Sequence, residues 1–399
     1  MQVFSKIRGA LLLAAAVALA TPLLIPQLAQ ASPTSTPSTP DGYPFIFLPI
    51  ITTNPPLTAD AAQSTPIRAV RVQYNNYQNS QAEAPAIEAS LRAAQVNLVA
   101  LSAGRVEWAY LNWRDHPEFV SSSVKDSGVD ILAADSIRYG QFAHINAVID
   151  VLSPNYIAAH PGTAAINALG QPNPNLVGTM ELVNGNYGKY LLQMVEYIAA
   201  NYPKVDSISL TELSYRLDGY GPAELASYQA ATGRADWPRL SNGQINIDDP
   251  SIGTWRSNLL GAYLAKLSDA CHAHGKAFYL DVPLSWSHPE TGGNEFGLNY
   301  ALMLQHVDKL VVWGYYYLEN QPPEALATAA AYLARYGSDK IIMSIGLWGP
   351  NNSTLPADLL ARGIQASIQG GLPSLWITPS IYLSAAGWAT LDQAWAAPN

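Results

Sequence analysis

Between residues 187 and 215 the hydrophobic period of the chain switches once, from that of a helix to that of a strand, and this switch narrows the choice of fold more than any other feature. Leu191, Leu192, Val195, Ile198 and Ala199 fall on one stripe at helical spacing, while Lys189, Gln193 and Glu196 stay off it. Just downstream, 205–215 reads VDSISLTELSY, in which Ile208 and Leu210 alternate with Ser207, Ser209 and Thr211 as in a strand with one apolar face. A helix that delivers the chain into a short strand is the unit of a βα repeat. An acid, Glu212, follows at the C-terminal end of that strand, where barrel enzymes carry their chemistry.

The same unit recurs along the chain. Strand-like segments are predicted at 68–74, 97–102, 129–135, 205–212, 276–282, 309–315, 340–346 and 373–378. Segments 97–101 and 309–314 are nearly continuous apolar runs, as parallel strands covered on both faces require. Helix-compatible stretches at 84–94, 252–274, 323–336 and 356–369 separate them. Eight units over residues 67–399 predict an α/β fold, a closed (β/α)8 TIM barrel, in preference to an open doubly wound sheet. The third unit is irregular: about 70 residues separate Asp135 from Val205, which points to an elaborated loop over the barrel mouth.

The N-terminal part has a different character. Lys6 and Arg8 precede an apolar run at 10–25, and Ala29-Gln30-Ala31 supplies small residues for cleavage, so 1–31 reads as an export signal peptide. The run is short and broken by Pro22 and Pro26, so no permanent membrane span is expected after processing; a retained anchor is the alternative. Residues 32–66, rich in Pro, Ser and Thr, form a tether. Its apolar island at 43–51, YPFIFLPII, either docks on the barrel or is plain linker. The expected location is secreted or cell-surface. Cys271 is the only cysteine, so no internal disulfide exists even there.

A formal charge of −9 argues against a nucleic-acid partner, which needs a basic patch to displace counterions from phosphates. The 10 Trp and 22 Tyr suit a different partner, a polysaccharide or oligosaccharide, whose C–H faces pack on rings. Tyr215, Trp286, Trp313, Tyr315, Trp348 and Trp376 recur at predicted strand ends and are the expected substrate-binding residues. For Trp313 and Trp376 the alternative is that they fill the barrel interior. No GxGxxG follows the first strand, and neither GxxxxGK[ST] nor HExxH occurs, so no cofactor and no metal are expected. His272 and His274, two apart and just before Gly275, fit a helix C-terminus.

The segment 205–215 resembles the fourth strand of the glycosyl-hydrolase-like family ten, a group of secreted or surface barrel proteins in which it typically reads VDGIHLDxxRYP. Segment 91–102 is similar to the family's second strand, Trp255-Arg256 to the pair that opens its next helix, and Ala273-His274-Gly275-Lys276 to the approach to strand five. The likeness spans about 68 to 390 and implies an exported glycoside hydrolase barrel. The family's strand-end aspartate falls on Thr211, its histidine on Ser209 and its arginine on Ser214. Glu212 is displaced by one position. On an alternating strand that reverses the side chain, unless the strand has ended or bulges there.

Glycoside hydrolysis ordinarily takes two carboxyl groups, one protonated and one ionised. Glu212 is the expected proton donor, with Tyr215 and Trp286 as an apolar wall; the alternative is an ion pair with Arg216 or Arg138. Asp281, at the end of the predicted fifth strand, is its expected partner or else a turn cap, and Asp135, expected to close the third strand, is a further catalytic candidate. No acid follows 341–345, which reads on into Gly346-Leu347-Trp348, so the common two-glutamate retaining layout is not reproduced. Of the DxxDxDxE run of chitinase-like barrels only Asp206 is matched, with Ser209 and Thr211 at the middle acids. The readings are therefore a glycoside hydrolase, a catalytically inactive carbohydrate-binding or cell-envelope recognition barrel, or a structural envelope protein.

Overall fold

The computed structural model describes residues 65–74 and 80–396. The export signal, the apolar island and the tether as far as residue 64 lie outside the described residues. Eight parallel strands alternate with helices: β1 Arg68–Arg71, β2 Leu98–Arg105, β3 His144–Asp150, β4 Ser207–Thr211, β5 Ala277–Pro283, β6 Lys309–Trp313, β7 Ile341–Gly346 and β8 Leu375–Thr378. Each pairs with its neighbours in order, and β1 pairs with both β8 and β2 (Ala69 opposite Trp376 and Leu98), so the sheet closes into a (β/α)8 TIM barrel. The principal covering helices are α1 Ser80–Ala93, α2 Ile131–Arg138, α3 Asn186–Asn201, α4 Pro250–His272, α5 Tyr300–Met303, α6 Ala325–Leu333, α7 Ala357–Gln369 and α8 Ala385–Ala396.

Strand alternation sorts the side chains. Ala69, Leu98, Ala100, Val148, Tyr279, Val311, Ile342 and Trp376 point inward and fill the barrel as one cluster. Strand β4 brings Ser207 and Ser209 to the same interior, and Asn146 of β3 satisfies both: its Nδ2 donates to Ser207 Oγ at 2.8 Å and its Oδ1 accepts from Ser209 Oγ at 2.9 Å. The outward set, including Ile145, Ala147, Ile149, Ile208 and Leu210, packs on Leu191, Val195 and Ile198 of α3 in the layer between sheet and helices. Each fully buried Leu or Ile there contributes about 1.5–3 kcal/mol.

The N-terminal floor of the barrel carries a repeat of its own. A polar residue stands immediately before every even-numbered strand and accepts an N–H from the strand before it or, for β8, from the residue ahead of β1. Asn97 Oδ1 accepts from Arg68 N (2.8 Å), Asp206 Oδ2 from Ile145 N (2.7 Å), Asp308 Oδ2 from Phe278 N (2.8 Å) and Ser374 Oγ from Ile67 N (3.1 Å). Peptide donors left open at the start of the sheet are thereby paired. Asp206, which matched the start of the chitinase-like run, belongs to this floor, at the opposite end from the mouth.

One strand assignment is corrected. Residues 129–135 do not form the third strand; Asp130 caps helix α2, its side chain accepting from Ala133 N at 2.9 Å. The third strand is HINAVID, β3, and it follows that helix. The long third unit then holds a helix at Pro154–Ala159, a hairpin of Ala164–Ile166 with Pro172–Val177, and a helix at Thr179–Asn184 before α3. Helix α4 ends at His272, with Gly275 at φ 68° just beyond, and His272 pairs with Asp308 at 2.8 Å. Cys271 is buried, which pushes its thiol up to about 12. Among the described residues no helix is long and apolar enough to cross a membrane.

Candidate active site at the barrel mouth

Two residues beyond the interior layer, alternation turns a second ring of side chains inward at the C-terminal end: Arg71, Asp150, Thr211, Asp281, Trp313, Ser344 and Thr378. This ring forms the base of the mouth. Glu212 comes next after Thr211 and by alternation would face the helices, but β4 has ended and Glu212 adopts φ 67°. A left-handed residue at the strand end swings the side chain back, so the carboxyl joins Asp150, Arg71 and Asp281. Glu212 keeps part of its surface open to the mouth, while Asp281 is only 5% exposed.

Helix α4 holds the loop that follows. Arg256, fully buried, donates from Nη1 to Tyr215 O (2.6 Å) and from Nη2 to Asp218 O (3.0 Å) and Gly219 O (3.3 Å). Tyr215 donates its hydroxyl to Val177 O at 2.9 Å, tying the same loop to the hairpin of the third unit. Arg256 of the Trp255-Arg256 pair is therefore a clamp on the segment that carries Glu212, while Trp255 donates its indole N–H to Ser227 Oγ at 3.2 Å. Tyr215 is completely buried and offers a ligand no surface.

Burial and like charge govern the acids. The Glu212 carboxyl is pushed up to about 8, first by burial, then by Asp150 and Asp281, with Arg71 opposing. Asp281 is pushed up to about 7 by burial, while Arg71, the Thr211 hydroxyl and the Trp313 indole N–H favour its ionised form. Asp281 Oδ1 and Trp313 Nε1 nevertheless close no hydrogen bond of good geometry, so the indole acts on Asp281 more weakly than a bonded donor would. Asp150 is also raised by burial, opposed by its bond from Leu152 N (2.8 Å) and by Arg105 and Arg71. Glu107, in the turn after β2 with Arg105 at 3.7 Å, is pushed up to about 7, chiefly by burial.

The far side of the mouth is aromatic. Trp313 stacks on Tyr315 (centroids 5.8 Å apart, 11° between planes), Tyr315 meets Trp348 edge-on at 5.5 Å, and Trp348 meets Tyr382 at 6.5 Å. All four residues are partly exposed. Gly346 at the end of β7 permits this: a Cβ there would stand 2.7 Å from Tyr315 and 2.9 Å from Trp348.

The structure thus gathers Glu212, Asp281, Trp313, Tyr315 and Trp348. Trp286, after β5, is partly exposed and packs against the core. Trp376, 2% exposed, belongs to the barrel interior, one layer below the mouth. Asp135 does not close a strand. It lies on α2, bonded to Tyr74 Oη and to Arg138 Nη1, each at 3.1 Å, and does not enter the electrostatics of Glu212. Arg138 is engaged there and Arg216 with Asp248 (3.0 Å), so neither pairs with Glu212. The sequence reading missed Arg71, Arg105, Glu107, Asp150 and Tyr382. Asp150 was open to discovery, since HINAVID carries an acid at its C-terminal end much as FYLDV does one residue from its own.

A separate concavity of about 600 Å3 lies between the loops after β3 and β4, lined by Asn167, Leu169, Tyr220, Leu225, Arg239 and Gln244 and by none of the mouth residues. Its charged groups neutralise each other, Arg239 bonding Asp236 at 2.9 Å. Among the described residues no cluster of three or more His, Cys, Asp or Glu could hold a metal.

Comparison with solved structures bears out the architecture. The chain is similar to the glycoside hydrolase domain of PgaB (BpsB) from Bordetella bronchiseptica, with TM-score 0.64 and 13% identity over 84% of this chain and 100% of that one. It is also similar to the catalytic domain of β-amylase from Paenibacillus polymyxa (0.53, 12%, 82% and 96%) and to a chitinase from Chromobacterium violaceum (0.50, 11%, 84% and 100%). At these identities the likeness is one of fold. No protein-family model and no curated protein sequence matches the chain, so its resemblance to the glycosyl-hydrolase-like family ten stands on the residues quoted above.

Proposed function

We propose that the chain is an exported glycoside hydrolase that binds a polysaccharide or oligosaccharide at the barrel mouth, with Glu212 as proton donor and Asp281 as its partner. The observation that carries this reading is the left-handed backbone of Glu212, which aims a carboxyl held protonated at neutral pH into a mouth that also contains Asp281 and an aromatic wall. A carboxylic acid kept neutral by burial and neighbouring charge is the group that can protonate a leaving alkoxide. The Glu212 proton passes to the glycosidic oxygen as the C1–O bond breaks. Asp281, the more readily ionised of the two, meets the positive charge that develops at C1. It completes hydrolysis either by bonding C1 or by taking a proton from the attacking water. Trp313, Tyr315 and Trp348 supply the surface on which the C–H face of a sugar ring rests.

The test is release of reducing ends from a panel of soluble polysaccharides, with binding to the same panel measured in parallel. The expected result is release by the wild type and none by Glu212→Gln, which retains binding. A second reading, a carbohydrate-binding barrel without turnover, is favoured by one observation: β7 runs into Gly346-Leu347-Trp348 with no acid after it. Binding to the panel without release by the wild type would establish that second reading.

A further inference from the structure

The side chain of Arg71 is the one inward-facing cation of the mouth that forms neither a hydrogen bond nor an ion pair with any described residue. Its backbone is fixed on both flanks, opposite Ala100 of β2 on one side and continuing the β8 pairing of Val70 on the other. Alternation from the inward Ala69 sends its side chain into the mouth. From β1 its charge reaches Asp150 of β3, Glu212 after β4, Asp281 of β5 and the Tyr315 hydroxyl after β6. It shares the ring of inward residues with Asp150, Asp281 and Trp313, and around the barrel β1 lies between the aromatic side on β6 to β8 and the acidic side on β3 to β5. A guanidinium has five donors in a fixed fork, no acceptor, and does not deprotonate in proteins. Its nitrogens are not closed off from solvent, so the fork faces water in the mouth and is open to a ligand oxygen that displaces it.

We propose that Arg71 anchors the reacting sugar, its fork spanning two neighbouring hydroxyl oxygens of an uncharged ring. This rests on reading the mouth as a glycan site and adds the substrate class. An acidic sugar would set any gain at Arg71 against repulsion from Asp150 and Asp281, and an aminosugar any gain at those acids against repulsion from Arg71 and Arg105. A neutral diol meets neither penalty, and its C–H face suits the rings opposite. Arg105 differs from Arg71 in having Glu107 beside it at 3.7 Å.

The experiment compares Glu212→Gln with Glu212→Gln carrying Arg71→Met or Arg71→Lys, by affinity electrophoresis in gels of neutral β-glucan or xylan, anionic polygalacturonate, or cationic chitosan. A neutral gel should retard the parent, Arg71→Met should weaken that binding about 10–100-fold, and Arg71→Lys should fall between. Guanidinium chloride at a non-denaturing concentration should restore part of the loss in Arg71→Met. Retardation by only the anionic or only the cationic gel overturns the neutral class. Unchanged neutral binding in both Arg71 variants overturns the anchoring role while leaving the glycan reading intact. In the otherwise wild-type chain, Arg71→Lys should raise KM; an upward shift of the pH limbs with KM unchanged would make Arg71 a tuner of the carboxyls only, and overturn the proposal. Absence of retardation on every gel for the parent overturns the glycan reading itself.

Discussion

The two ends of this barrel treat acidic residues in opposite ways. On the floor, Asp206 and Asp308 are exposed and each accepts a backbone N–H at 2.7–2.8 Å from the adjacent strand, so the charge is solvated and also closes the sheet. At the mouth, Asp150, Glu212 and Asp281 crowd one another, and burial drives all three towards the neutral form. A carboxylate spent on the fold is placed where solvent reaches it. The carboxyls that the proposed function uses are placed where ionisation is opposed. In the proposed function the contrast separates stability from chemistry along a single axis, the arrangement of barrel enzymes.

The sharpest way to break the contrast is Glu212→Gln. Turnover should fall about 1,000-fold, the scale of a lost general acid, as read by reducing-end release. Stability should move the other way. The folded Glu212 ionises near 8 against an ordinary 4.5, so between those values the folded chain keeps a proton that the unfolded chain releases, and stability declines as pH rises through that window. The variant lacks this penalty. Its thermal midpoint should exceed the wild type's at pH 8, reflecting about 1–3 kcal/mol of added stability after allowance for the group's partial exposure, and match it at pH 4.

Next in size is the pH profile of kcat/KM. Activity should rise as Asp281 ionises near 7 and fall as Glu212 loses its proton near 8, changing about tenfold per unit outside that interval. The two limbs belong to the whole carboxyl cluster, so Asp150→Asn should move the basic limb down by removing a like charge from Glu212. A profile flat from pH 5 to 9 would remove both acids from the rate-limiting chemistry. Trp348→Ala tests the aromatic side, with KM expected to rise about tenfold while kcat changes less, since in the proposed function the ring meets sugar and not the scissile bond. The smallest effect belongs to the floor: Asp206→Ala should cost about 1 kcal/mol in thermal or urea unfolding and leave kcat and KM unchanged at 25 °C. A kinetic defect there would mean that floor and mouth are coupled.

Most of the barrel was legible because parallel strands buried on both faces announce themselves as short apolar runs. Seven predicted strands overlap their observed counterparts, and α3 and α4 lie within a residue or two of the expected bounds. The third strand was misplaced because VDILAAD carries both an apolar run and a cap. Asp130 before Ile131 and Leu132 is an N-terminal helix signal that outranked the strand pattern. That slip hid Asp150 and put Asp135 in its place. Glu212 was legible as an acid at a strand end, but its direction was not, since alternation argues against the mouth and only the backbone angle reverses it. Arg71 escaped notice because a lone arginine closing a four-residue strand has no motif. Its meaning lies in neighbours drawn from β3 to β6, which no local pattern brings together.

The left-handed turn at Glu212 has an evolutionary corollary. Glycine and asparagine adopt that conformation more easily than glutamate does, and neither carries a titratable proton. For a hydrolase built this way, the shortest path to an inert lectin runs downhill in folding free energy: one replacement relaxes the peptide, removes a repelled acid and leaves the sugar shelf standing. Descendants that grip glycans without cleaving them should therefore arise readily from such an ancestor, and at this position their loss of chemistry would be recorded as a gain in heat resistance.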